Sequence, residues 1–233
     1  MLLQVTIVII YVAFVTIESV ALIARSAGHW SNAHPLGMSL HNAILAANRF
    51  LGFFIGPLLG YLIDNGKDRH LIFEIGIISS LVASFGLIWS LIYWGSIGSF
   101  FSGFIESVKI NGFTRQAIAR AVFFGNKTTP LDRSALNIHL LVASVVITGF
   151  ILPVPFVINL LAINNPEYKS SILQMTGLIS GLGSIILNFY ANPHLAVLEQ
   201  RNVVGIAYYS LHVGKIIGLM VISPLLIGVA FFA

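Results

Sequence analysis

The chain contains no cysteine. Disulfides, thiolate metal sites and cysteine nucleophiles are therefore excluded. Charge is scarce as well: 9% of the 233 residues are Asp, Glu, Lys or Arg, against about 25% in ordinary soluble domains. Ten-residue stretches of alternating polar and apolar residues are missing, which argues against a membrane β-barrel. There is no Gly-x-x-x-x-Gly-Lys-Ser/Thr loop to hold a nucleotide and no His-Glu-x-x-His helix to hold zinc. No His, Arg and Asp cluster of the kind used by phosphatases of lipid pyrophosphates is visible. The expectation is a protein without metal or cofactor that is not an enzyme.

What fills the chain instead is apolar: 57% hydrophobic residues and a mean hydropathy of +0.94. Runs near 20 apolar residues read as membrane-spanning helices. Six are expected, at Leu2–Ala24, Met38–Ile63, Leu71–Trp94, Leu136–Ile163, Ser171–Ala191 and Val203–Phe232. The fold class is thus an all-α integral membrane protein, a bundle of about six transmembrane helices forming one polytopic domain, 1–233. The first run has no basic segment ahead of it and reads as a retained span rather than a cleaved signal. No internal repeat is visible.

Residues 95–133 differ from the spans. Lys109, Arg115, Arg120, Lys127 and Arg133 are interleaved there with Phe100, Phe101, Phe104, Ile105 and Val108. Asn111-Gly112 divides the stretch into two short amphipathic pieces, the second with Thr114 as a possible cap. Such pieces are expected to lie in the membrane interface. Asn126-Lys-Thr matches a glycosylation sequon, and chance explains it better. The loops after spans one, three and five carry Arg25, those five residues and Arg201, whereas Lys67, Arg69 and Lys169 lie on the other side. The positive-inside rule then places residues 95–133 in the cytoplasm and both termini outside. The net charge of +4 reflects this topology and contact with anionic membrane lipids rather than nucleic acid.

Three charges fall inside the apolar runs: Glu18, Arg49 and Lys215. A charge at the bilayer centre costs at least about 2.5–3.5 kcal/mol, so such residues face a bundle interior or a wet cavity. In span two, Asn42, Arg49, Gly56 and Gly60 fall on one stripe, where glycines four apart would admit a neighbouring helix. Arg49 is then either an internal staple to a carboxylate or an anion site. Glu18 is expected to neutralise Arg49 or Lys215, unless it is a protonated, hydrogen-bonded acid. Arg25, seven residues from Glu18, reads as an interfacial anchor. In the last span, Tyr208, His212, Lys215 and Gly218 share a face, and His212 is either a titrating group or a hydrogen-bonded packing group. Asn188 in span five and Asn137, Ser144, Thr148 and Asn159 in span four add polar faces. Together these faces suggest a hydrated central cavity.

Several stretches resemble one family. They are Ile17-Glu18-Ser19 with Ala24-Arg25-Ser-Ala-Gly28, Ser39-Leu-His-Asn42 through Asn48-Arg49 to Gly60-Tyr-Leu-Ile-Asp64, and Pro166-Glu-Tyr-Lys169 through Gly177-Leu-Ile-Ser-Gly181 to Asn192-Pro-His-Leu195. The chain resembles the Amj family of bacterial lipid II flippases, the alternate to MurJ, over about two-thirds of its length. It departs from that pattern at Asn192, where aspartate is expected, and in the middle loop. The resemblance implies movement of lipid II, an undecaprenyl-pyrophosphate-linked disaccharide-pentapeptide, from the inner to the outer leaflet of the bacterial cytoplasmic membrane. That role belongs to peptidoglycan biosynthesis, cell wall biogenesis and cell shape. Arg49 and Lys215 would hold the pyrophosphate, with Arg25 near the inner end. Asn42, His212 and Asn188 would receive sugar or peptide, and Glu18 would balance the cations when the site is empty. The alternatives are an ion- or proton-coupled small-solute transporter using Glu18 and His212, and a membrane-bound lipid-modifying enzyme.

Overall fold

The computed structural model describes residues 2–66, 68–112, 114, 130–201 and 203–233. Those residues form helices α1 (Leu2–Trp30), α2 (His34–Asp64), α3 (Arg69–Ile92), α4 (Trp94–Asn111), α5 (Ile138–Asn164), α6 (Pro166–Gln200) and α7 (Val204–Phe232), with no strand among them. All but α4 are long and apolar enough to cross a membrane, and they match the six expected runs. Helices α1, α2 and α6 extend past their apolar runs, because helix propensity and caps carry the backbone on where hydropathy stops; α3, α5 and α7 match theirs to within two residues at each end.

The helices run up and down between two ends. At one end Lys109 Nζ donates to the carbonyl oxygen of Ser31 at 2.6 Å, and the backbone N–H of Asn137 donates to Ser210 Oγ at 2.8 Å. At the other end Lys169 pairs with Asp64 at 2.8 Å, and Arg69 lies over the Phe231 ring at 5.0 Å. Of the described basic residues, Arg25, Lys109, Arg133 and Arg201 belong to the first end, and Arg69 and Lys169 to the second.

The interior is two apolar cores separated by a polar layer. Ile7, Tyr11, Leu59, Ile72, Phe156 and Ile227 belong to the core at the second end. Ile23, Trp94, Ile105, Leu140, Ala207 and Tyr208 belong to the core at the first. On α1, α3 and α7 the same register steps from one core to the other through Glu18–Ser19, Ser90 and His212–Lys215. Ser19 and Ser90 hydrogen-bond to each other at 2.7 Å, and both hydroxyls contact His212 Nε2. The His212 ring stands edge-on to Trp94 with centroids 5.0 Å apart. Apolar packing alone would let these helices slide. A layer of polar groups that must find one another sets their height.

The 95–133 region departs from its expectation in one respect. Its first half is helical and does end at Asn111, where Gly112 takes φ 67°, a left-handed conformation suited to glycine. That helix does not keep its apolar face for lipid, however. Trp94, Phe101 and Ile105 are buried in the core shared with α1 and α7, so α4 completes the bundle at this end. The second piece, with Arg115, Arg120 and Lys127, lies outside the described residues.

Helices α5, α6 and α7 share an internal break. Each contains a π-helical stretch, at Ile147–Ile151, Ile186–Ala191 and Gly218–Ile222. In each the next residue donates five back, Leu152 to Ile147, Asn192 to Leu187 and Ser223 to Gly218, and a proline follows at once: Pro153, Pro193 and Pro224. Proline cannot donate and clashes with the carbonyl four residues back. One wider turn ahead of it relieves that clash without ending the helix.

Candidate functional site

A groove with a cavity volume of about 530 Å³ lies between α1, α2, α5 and α6. Its walls include Glu18 and Phe14 from α1, Asn48, Arg49 and Gly52 from α2, Ile151 and Pro155 from α5, and Thr176, Ser180 and Ser184 from α6. Arg49, Phe53, Gly56, Gly177, Ser180 and Ser184 are exposed while lining it. Arg49 is also the middle residue of α2. The groove therefore opens on the side of the bundle, halfway along the helices, rather than at an end. A cavity is present, but it is lateral and mostly apolar rather than the hydrated central one expected.

The glycine stripe of α2 explains the opening, though not in the expected way. Gly52 does pack, with Phe14 3.1 Å from where a Cβ would sit, but Gly56 and Gly60 have nothing within 4 Å. The same holds for Gly177 and Gly181 on α6. These glycines do not dock helices. Of the four, Gly56 and Gly177 line the groove and leave it unfilled.

Arg49 has no hydrogen-bond or ion-pair partner among the described residues. The alternative of an internal staple is not realised in this conformation, and the expected packing seam around Arg49 is an open wall. Its neighbour Asn48 is 3% exposed and donates through Nδ2 to the Phe14 carbonyl at 2.8 Å.

Glu18 also borders a second, smaller cavity of about 40 Å³ behind the groove, together with Lys215, His41, Asn192, Thr148 and Ser144. There Lys215 Nζ donates to Glu18 Oε1 at 2.7 Å. Of the two partners expected for Glu18, the structure selects Lys215. Lys215 is consequently not a free cation like Arg49, and its side chain is nearly covered.

Two helical turns deeper lies a cluster that sequence reasoning missed. Arg25 is 3% exposed and grips Glu199 with two prongs, Nε to Oε1 at 2.9 Å and Nη2 to Oε2 at 3.0 Å. Nη1 donates to Asn192 Oδ1 at 3.0 Å, and Tyr208 Oη donates to Glu199 Oε1 at 2.6 Å. Arg25 is thus not an anchor reaching for the interface. It is a structural clamp between α1 and α6. Glu199 was hidden because it sits next to Gln200-Arg201 and looks like loop polarity. Only the tertiary packing that brings the C-terminal ends of α1 and α6 together turns it inward. Asn192 serves here as acceptor for Arg25.

Three other expected contact residues lie off the groove. His212 is 0% exposed, locked between Ser19, Ser90 and Trp94, so it is the hydrogen-bonded packing group rather than a ligand contact. Asn42 is exposed on α2 but lines neither cavity. Asn188 faces outward and accepts from Asn192 Nδ2 at 3.2 Å. The groove's own polar groups, Asn48, Thr176 and Ser180, were not singled out for it. Thr176, Ser180 and Ser184 recur every fourth residue, a period that would have suggested one polar face.

Among the described residues no group of three or more His, Asp or Glu could hold a metal ion. Comparison with protein-family models, curated proteins and solved structures gave no significant match.

Proposed function

We propose that the protein is a lipid flippase of the bacterial cytoplasmic membrane whose groove carries an anionic head group across while the tail stays in the bilayer, with lipid II as the substrate. The observation that carries this reading is Arg49: a cation with no partner among the described residues, at the middle of an apolar helix and lining a groove open to the side. A lipid can enter such a groove without leaving the membrane, whereas a closed vestibule would suit a water-soluble solute. Arginine presents two parallel donors to phosphate oxygens. Its burial in lipid without a counter-ion is unfavourable, so an anionic occupant stabilises the loaded form. Glu18, on the boundary between groove and inner cavity, compensates the charge of Lys215 when the groove is empty and can release it to an incoming pyrophosphate. The basic residues of 95–133 gather anionic lipid at the cytoplasmic face.

The test is complementation of cells depleted of their other lipid II flippase, with protein level checked by blot. Arg49→Ala abolishes rescue at normal protein level. Arg49→Lys rescues poorly, because lysine makes only a point contact. Full rescue by a normally expressed Arg49→Ala protein would sink the reading.

A further inference from the structure

Asn48 is nine-tenths buried, yet its Oδ1 has no hydrogen-bond partner among the described residues. The Phe14 carbonyl fixes Nδ2 as the donor, so the atom left over is an acceptor. A buried acceptor without a donor is unfavourable, and native structures rarely leave one without reason. This one borders the groove, one residue from Arg49. On the facing wall, Thr176, Ser180 and Ser184 present hydroxyls at successive turns of α6. Ser184 donates back to the Ser180 carbonyl at 3.3 Å. The hydroxyls of Thr176 and Ser180 bond to no other described residue. The groove therefore offers a cation, an adjacent acceptor that requires a donor, and hydroxyls that can both give and accept.

Resting on the flippase reading, we infer that the groove recognises a sugar joined directly to the anionic group, with Asn48 Oδ1 accepting from a sugar hydroxyl or amide while Arg49 holds the phosphate, and Thr176 and Ser180 contacting the far side of the ring. Asn48 and Arg49 are adjacent on α2 and both line the groove, so one occupant can meet the acceptor with its sugar and the cation with its phosphate. A polyprenyl pyrophosphate without sugar satisfies Arg49 and leaves Asn48 Oδ1 without a donor. Asn48, Thr176 and Ser180 are then specificity residues for the glycan, distinct from Arg49, which serves any phosphate.

The experiment is equilibrium binding to the full chain in lipid nanodiscs, with two probes: undecaprenyl pyrophosphate and the same lipid bearing the disaccharide-pentapeptide. The wild type binds both and prefers the glycosylated probe by roughly tenfold or more, a step of the size one or two buried hydrogen bonds supply. Asn48→Leu and the double variant Thr176→Val/Ser180→Ala each lose that preference while keeping their affinity for the bare pyrophosphate. The double variant lies on the uncovered face of α6 and keeps the test decisive if Asn48→Leu fails to fold. Equal binding of both probes by the wild type, or an unchanged preference in the double variant, overturns this inference and leaves the flippase reading standing. Binding of neither probe overturns both.

Discussion

At the scale of single residues, the intramembrane charges divide into paired and unpaired, and the division decides what each does. Lys215 and Arg25 are buried against carboxylates; Arg49 is not. Removing one partner of a buried pair leaves an uncompensated charge and costs about 3–5 kcal/mol. Glu18→Gln is therefore expected to lower the unfolding temperature in detergent clearly. Adding Lys215→Met should restore most of the loss, whereas adding Arg49→Gln should restore none. Rescue by the Arg49 change instead would mean that Glu18 serves the other cation. Glu199→Gln should be at least as damaging as Glu18→Gln, because the two-pronged Arg25 contact and the Tyr208 hydroxyl both lose their carboxylate. Tyr208→Phe removes only one of these bonds and should cost about 1.5–3 kcal/mol, the range for hydrogen bonds to charged groups. Thermal melts of the three proteins side by side would show the order. That Glu18 needs a cation, Arg49 or Lys215, was legible in the sequence because all three interrupt apolar runs; which of the two it takes was not. Arg25 with Glu199 was not, because each lies near a helix end where charge is ordinary.

At the scale of helices, glycines sort by what lies beyond their missing Cβ. A Cβ on Gly28 would come within 2.4 Å of Gly37 Cα, and one on Gly218 within 2.8 Å of the Gly149 nitrogen. Backbone cannot yield as a flexible side chain can. Gly28→Ala and Gly218→Ala should each force two helices apart and lower stability by roughly 1–3 kcal/mol, the usual range for overpacking. Gly56→Ala and Gly60→Ala meet nothing and should leave the unfolding temperature unchanged, with any effect of Gly56→Ala confined to transport, since it lines the groove. Equal loss of stability in all four variants would show that the stripe on α2 packs after all. Sequence spacing cannot separate these cases: Gly52, Gly56 and Gly60 are four apart whether a helix or a groove faces them. The π-helical breaks are similar. Pro153, Pro193 and Pro224 announce irregularity, but Pro57 stands inside α2 and that helix continues with no such break.

At the scale of the whole molecule, the described basic residues concentrate at the end where α1 leads into α2 and α6 into α7. With that end in the cytoplasm, both termini face out. The absence of native cysteine makes the check direct. Lys127→Cys should resist a membrane-impermeant thiol reagent in intact cells and react after lysis, and Lys67→Cys should react in intact cells. Labelling of Lys127→Cys from outside inverts the orientation, and with it the side from which the groove is loaded.

Length, hydropathy and the six apolar runs determined by themselves that this chain is helical and how many times it could cross a membrane, because a spanning helix needs a fixed length of apolar residues whatever surrounds it. They also located the three charges that must be accounted for. The partners of those charges, the groove, and the roles of Asn48, Thr176, Ser180 and Glu199 were decided only in the tertiary structure. The physical reason is that in lipid an apolar face reads the same whether it meets another helix or the bilayer. Which polar groups converge then depends on the height and rotation at which helices dock, and the Ser19, Ser90 and His212 layer sets that height between α1, α3 and α7.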